Sequence, residues 1–180
     1  MQIQRFKRVV VVGSSGSGKT AFARALSEIL GAPHIELDAH YWGPNWVPKP
    51  DEDLQKSLTA ALDVDAWVFD GNLSSSNAEA LKSATAIVWL NYSFPVVFGR
   101  AVHRTFRRIV SRERLYSSNH ESLVQIFDRD WIPWWVIRTF WSRRQKYRMM
   151  FSSPAFSALQ IFELKSPKAG DELLARLRAA

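Results

Sequence analysis

Eight residues, Gly13-Ser14-Ser15-Gly16-Ser17-Gly18-Lys19-Thr20, satisfy every fixed position of G-x-x-x-x-G-K-[ST] and directly follow the apolar run Val9 to Val12. A chain built around this string has few folds open to it. The apolar run reads as a buried strand, the string as a turn, and Ala21 to Leu30, stopped by Gly31, as a helix. Glycines let the backbone turn so that successive N–H groups face phosphate oxygens, and the helix that follows adds the positive end of its dipole. All eight residues are therefore phosphate-binding candidates. Lys19 is placed to reach β and γ phosphates. Thr20 offers a hydroxyl to a magnesium ion bridging them, an ion that takes oxygen ligands and keeps most of its waters.

Further along, short apolar runs alternate with helix-like stretches, the pattern of a parallel sheet covered on both faces. Strands are predicted near Arg8–Val12, His34–Leu37, Ala66–Phe69, Ala86–Leu90 and Leu159–Leu164. Helices are predicted over Lys19–Leu30, Asp51–Leu62, Ser76–Lys82, Pro95–Leu115, Glu121–Met150 and Lys168–Ala179, with Pro133 marking a start or kink inside the fifth. The stretch from Asp38 to Pro50, rich in Pro, Trp and Gly, reads as no regular element. The expected fold class is α/β, a P-loop NTPase with five parallel strands and helices on both faces. A chain of 180 residues with 47 % hydrophobic content buries one substantial core, so a single domain over 1–180 is expected, with 94–151 as a basic, Trp-rich lid or insert.

Ligands in such sheets gather at the carboxyl ends of the strands. That rule selects Asp38, at the end of the second strand, and Asp70, at the end of the third. Trp67-Val68-Phe69-Asp70 has the form of the apolar run plus acid that meets magnesium or its water in phosphate-loop enzymes, so Asp70 is the metal candidate beside Thr20. Asp38 opens the Trp-rich loop, where a carboxylate is suited to hold or deprotonate an acceptor hydroxyl. Tyr41, Trp42 and Trp46 in that loop are candidates for lining an acceptor pocket, with simple packing of the loop as the alternative.

Charge is unevenly distributed. Residues 94–151 hold twelve Lys or Arg against four acids, a net of +8, whereas the rest of the chain holds twelve bases and thirteen acids, a net of −1. At about 100° per residue Arg100, Arg104, Arg107, Arg108 and Arg114 fall on one helix face and Phe98, Val102, Phe106 and Ile109 on the opposite one. Guanidinium forks at those positions would neutralise the oxygens of a transferring phosphoryl group, and a solvated basic face is the plainer reading. Trp131, Trp134, Trp135 and Trp141 alternate with Arg138, Arg143, Arg144, Lys146 and Arg148. Burial against the sheet or a partner is the ordinary reading of these tryptophans. Platforms for nucleic-acid bases and an interfacial membrane helix are the other two.

The chain has no cysteine, which excludes disulfides and thiolate metal sites, and its four histidines have no zinc-type spacing. The basic N-terminus Met1 to Arg8 is backed only by a four-valine run, too short for a signal peptide core, so no transmembrane segment and a cytoplasmic setting are expected. No N-K-x-D string occurs, which disfavours a GTPase.

The phosphate loop taken with Leu37-Asp38-Ala39-His40-Tyr41-Trp42-Gly43-Pro44-Asn45-Trp46 and with Asp70-Gly71-Asn72 resembles the branch of adenylate-kinase-like proteins labelled topology modulation protein. The resemblance runs from Arg8 to about Arg104 and is only architectural beyond Leu115. It implies a nucleoside-monophosphate-kinase-like sheet, ATP with magnesium, and a lid whose arginines close over the phosphates, Arg100 and Arg104 matching that helix. Gly71 and Asn72 join the acceptor-binding candidates through it. Two departures, Asn45 where the family tends to have Gly and Leu73 where it has Tyr, both fall on the acceptor side. The function expected is a kinase moving the γ-phosphoryl of magnesium ATP to a small-molecule acceptor such as a nucleotide, with Lys19, Asp38, Arg100, Arg104, Arg107 and Arg108 catalytic. The alternative is an ATP-switched protein gripping nucleic acid through the basic segment.

Overall fold

The structure, a computed structural model, describes residues 6–72, 78–111, 115–119 and 131–180. Five strands, β1 (Arg8–Gly13), β2 (His34–Glu36), β3 (Trp67–Asp70), β4 (Ala86–Leu90) and β5 (Gln160–Leu164), form one sheet of order β2-β3-β1-β4-β5 with every pairing parallel. Around it run α1 (Lys19–Leu30), α2 (Leu37–Tyr41), α3 (Asp51–Leu62), α4 (Ala78–Ser83), α5 (Phe94–Ser111), α6 (Ile132–Phe151) and α7 (Pro167–Arg178).

The central strand shows why a continuous apolar run was needed. Val9 and Val11 enter one core with residues of α1, α5 and α7, while Val10 and Val12 enter the other with Leu54 and Leu58 of α3 and Ala80 of α4. Successive side chains point to opposite faces, so a strand buried on both has no position for a polar residue. α6 serves both cores: Val136 and Phe140 join the first, and Tyr147 packs edge-on against Trp89 of β4 in the second, ring centres 5.9 Å apart.

Predicted strands are all present, displaced by at most a residue at either end, and α1 and α3 have the bounds expected. α6 begins at Ile132 with Pro133 in its first turn, where a missing N–H costs nothing. The expected helical stretches at 76–77, 112–114 and 121–130, together with Leu73 and Arg114, lie outside the described residues. The Asp38–Pro50 stretch needs correction. It holds α2, which continues from β2 without a loop, and a 3-10 turn at Pro44–Trp46. Five residues are too few to display a helical period, so the pattern there was silent. Leu37 anchors α2 by packing on Gly71, where an added Cβ would stand 2.7 Å from the Leu37 Cβ.

Candidate functional site

The phosphate loop leaves the carboxyl end of β1 and caps α1. Gly18, with φ +91°, is the N-cap of that helix, and the Ser17 amide donates to the Ser14 carbonyl at 3.0 Å. Gly16 combines φ +86° with close packing: a Cβ there would stand 2.6 Å from the Val97 carbonyl oxygen and 2.9 Å from the Ala101 Cβ. The loop therefore rests directly on the backbone of α5. Lys19 Nζ donates to the Ser14 carbonyl at 3.3 Å, folding the side chain back over the loop. Ser17 Oγ is buried with no hydrogen-bond partner among the described residues.

Beside the loop, strand register places two carboxylates together. Asp70 is paired with Val11 on one side and Glu36 on the other. The Thr20 hydroxyl lies 2.7 Å from Asp70 Oδ2 and 3.2 Å from Glu36 Oε1, while His34 Nε2 holds the other Asp70 oxygen at 3.1 Å. Tyr116, just beyond α5 in sequence, donates its phenolic proton to the same Glu36 oxygen. Burial and that bond push the Tyr116 phenol far above its usual range, so it keeps its proton. Glu36 escaped the sequence reading although it stands two residues before Asp38, an acid-x-acid pair at a strand end.

Lys19 and Asp38 feel one another. Burial lowers the Lys19 ammonium to about 8, with Asp70 and Asp38 opposing that fall and Arg143 and Arg104 adding to it. Asp38 is exposed, yet the protein around it strips enough hydration to raise its carboxyl, against the pull of Lys19, Arg104 and Arg143 and with help from Asp70.

The arginines sort by helix row. Arg100 Nη1 donates to the Ser17 carbonyl at 3.1 Å and its guanidinium sits 5.5 Å from the centre of the Tyr92 ring. Arg104 and Arg108, each one turn further on, are half-buried; the first acts on Lys19 and Asp38 and the second on Tyr116. Arg107 is exposed, since a step of three from Arg104 rotates it away from that row. α6 supplies a residue not anticipated at the site, Arg143. Its charge bears on Asp38 and Lys19, its guanidinium covers the Trp135 ring at 5.3 Å, and its buried Nη1 has no partner among the described residues. Embedded among tryptophans in the sequence, it carried no signal distinguishing it from Arg138 or Arg144.

Tyr41, Trp42 and Trp46 pack edge to face in series, ring centres 4.7 Å and 5.7 Å apart, and all three are half-buried. The segment 115–119 straps this loop down. Ser117 Oγ donates to the Trp42 carbonyl at 2.8 Å, Asn119 Nδ2 to the Gly43 carbonyl at 2.9 Å, and the Trp46 amide to Asn119 Oδ1 at 3.2 Å. Gly71 and Asn72 follow Asp70 at the end of β3, buried and half-buried.

With strand order and phosphate loop in place, the chain has the fold of the P-loop NTPases: five parallel strands with helices on both faces. The same architecture occurs in a shikimate kinase from Bacteroides thetaiotaomicron, with a TM-score of 0.53 and 16 % identity over 96 % of this chain and 97 % of that one. A shikimate kinase from Acinetobacter baumannii in complex with shikimate gives 0.52 and 16 % over 97 % and 92 %. These likenesses establish the fold. No protein-family model and no curated protein sequence matches the chain.

Proposed function

We propose that the protein is a kinase that transfers the γ-phosphoryl group of magnesium ATP to a small acceptor bearing a hydroxyl or phosphate. The observation that carries the reading is the convergence of Lys19, Asp38, Arg104 and Arg143 on one charge-frustrated corner beside the phosphate loop. The residues present fit the donor: Ser17 Oγ and Arg143 Nη1 are buried donors without partners among the described residues, and the Thr20 hydroxyl between Asp70 and Glu36 suits a hydrated hard cation. Magnesium ATP, when bound, supplies the phosphoryl group and a cation that offsets its charge.

In this reading the amides of Gly13 to Thr20 and the Lys19 ammonium hold the phosphates, and Thr20, Asp70 and Glu36 hold the cation's water shell. Asp38, whose carboxyl burial makes more basic than usual, orients the acceptor hydroxyl and takes its proton. Arg100, Arg104, Arg108 and Arg143 neutralise charge as it spreads over the transferring oxygens, so that rate comes from positioning and electrostatics. The Tyr41, Trp42 and Trp46 loop with Gly71 and Asn72 bounds the acceptor. The L-D-x-x-Y-W-x-P-x-W and D-G-N strings set the chain, in this reading, beside the topology modulation branch. The half-burial of Arg104 and Arg108, the first near Lys19 and Asp38 and the second near Tyr116, favours this over a nucleic-acid grip, which needs them outward.

The test is ADP release from magnesium ATP with a panel of nucleoside monophosphates, nucleosides, hydroxy acids and DNA, with Lys19→Ala as blank. One small acceptor should stimulate release, and Asp38→Asn should cut it by about a hundredfold or more while leaving nucleotide affinity intact. Stimulation by DNA alone, or full turnover by Asp38→Asn, would overturn the assignment.

A further inference from the structure

α5 carries three longitudinal rows. Val97, Ala101 and Thr105 are buried, Arg100, Arg104 and Arg108 flank them on the site side, and Phe94, Phe98, Val102, Phe106 and Val110 flank them on the other. The last row is a ridge with a side chain at every fourth position. It begins half-buried, with Phe94 stacked on Phe98 at 5.4 Å and on Trp141 of α6 at 4.7 Å between ring centres. It then emerges into solvent: Val102 is 38 % exposed, Phe106 66 % and Val110 68 %. α6 extends the apolar surface through Trp141, 58 % exposed, and Trp134, 50 % exposed, two turns apart on one side with exposed Arg138 between them and Arg148 beyond. Single exposed apolar side chains need no explanation, but a row of them on one helix, joined through the Phe94–Trp141 stack to exposed indoles on the next, marks a surface that something covers.

We propose that this ridge docks the protein onto the surface of an anionic lipid bilayer. Phe106, Val110, Trp134 and Trp141 enter the boundary between headgroups and acyl chains, and Arg138 and Arg148 meet lipid phosphates. Charge complementarity selects an anionic partner, because exposed Arg138 and Arg148 of α6 stand beside the exposed indoles and the nearest sequence, 94–151, is net basic. The aliphatic members select lipid over nucleic acid: bases stack on rings, and exposed valines at 102 and 110 give them nothing to stack on. A second copy of the chain is disfavoured because a two-fold contact would set two such segments against each other. Among the described residues no helix is long and apolar enough to cross a membrane, so the contact is peripheral. The arginine row faces the other way, and docking therefore leaves the phosphate loop open. The inference does not rest on the kinase reading.

Sedimentation of the full chain with vesicles of phosphatidylcholine, and with vesicles enriched in phosphatidylglycerol, tests it. Partition onto the anionic vesicles should exceed that onto the neutral ones by about tenfold or more at low salt and fall as salt rises. Phe106→Asp combined with Val110→Asp should lower it by about tenfold without lowering thermal stability, since both positions are exposed. Arg138→Ala with Arg148→Ala should erase the preference for anionic lipid, and Lys19→Ala should bind as the unaltered chain does. Absent or charge-indifferent partition overturns the proposal. So does a concentration-dependent dimer, or DNA binding, that the Phe106→Asp and Val110→Asp changes abolish.

Discussion

The phenol of Tyr116 donates to Glu36 Oε1, the same oxygen that stands 3.2 Å from the hydroxyl of Thr20. A strap residue beyond α5 thus touches the corner where the proposed cation binds. The strap's other bonds fall on the Trp42–Trp46 loop, so Glu36 stands between the strap that holds that loop and Thr20 at the start of α1.

Removing only that hydroxyl isolates the link. Tyr116→Phe should cost about 1 kcal/mol of stability, the ordinary net value of one hydrogen bond. It should also raise the magnesium concentration needed for half-maximal ADP release several-fold, because Glu36 loses the donor that orients it. Magnesium titration of both proteins checks this, and identical midpoints would show that the bond is only structural.

Lys19 sets a pH dependence whose sign differs between stability and binding. Its folded-state value is about 8 against an ordinary 10.5. Between these values the unfolded chain carries a proton there that the native chain lacks, so this group makes the ligand-free protein more stable as pH rises through that window. Phosphates favour the ammonium form, and nucleotide affinity runs the other way. ADP affinity should weaken by about tenfold between about pH 7 and pH 9, with proton uptake on binding. Calorimetry in buffers of different ionisation heat measures that uptake, and its absence would remove Lys19 from the phosphate site.

Gly16 is the tightest backbone position in the loop. With φ +86° and a Cβ destined to meet the Val97 carbonyl at 2.6 Å, Gly16→Ala must both strain the backbone and push the loop off α5. A loss of about 2 kcal/mol or more is expected, visible as a lowered Tm. Gly31 also has a positive φ but open space around it, so Gly31→Ala should be milder, its cost that of the backbone alone. Equal shifts for the two would mean that the packing of loop on helix contributes nothing.

Elements that obey one period were legible in the sequence, and so was the phosphate loop. Val9 to Val12 could only be a doubly buried strand, and α1 and α3 were bounded by Gly31 and by Asp51 after Pro50. Periodicity gave α5 two faces but could not say which one turns inward. The structure buries its small residues Val97, Ala101 and Thr105, turns one arginine row to the site and leaves Phe106 and Val110 in solvent, so the usual inference from amphipathicity to burial fails on that helix. The tryptophans of α6 fail it similarly: Trp134 and Trp141 are exposed and Trp131 and Trp135 half-buried. Arg143 and Tyr116 were invisible because each reaches the site by tertiary placement, from a later helix and a strap, with no local string to mark it, whereas Glu36 carried a local mark in the acid-x-acid pair it forms with Asp38.

Asn119 fastens the strap to the acceptor loop, and its removal should separate the two halves of the site. Its amide is buried, donates to the Gly43 carbonyl at 2.9 Å and accepts from the Trp46 amide at 3.2 Å. The loop needs this support, because Asn45 and Trp46 hold positive φ values of 57° and 58°, a left-handed conformation that asparagine tolerates but a bulky indole residue does not favour. Asn119→Ala leaves two backbone groups without that partner and releases the strained turn, at a cost of about 2 kcal/mol. The donor loop makes no hydrogen bond to Asn119 among those described, so KM for ATP should stay within about twofold while KM for the acceptor rises about tenfold or more, as expected when only binding contacts are lost. Steady-state kinetics on the acceptor found by ADP release reads both constants at once. A matching rise in both would show that the strap supports the whole cleft and does not serve the acceptor side in particular.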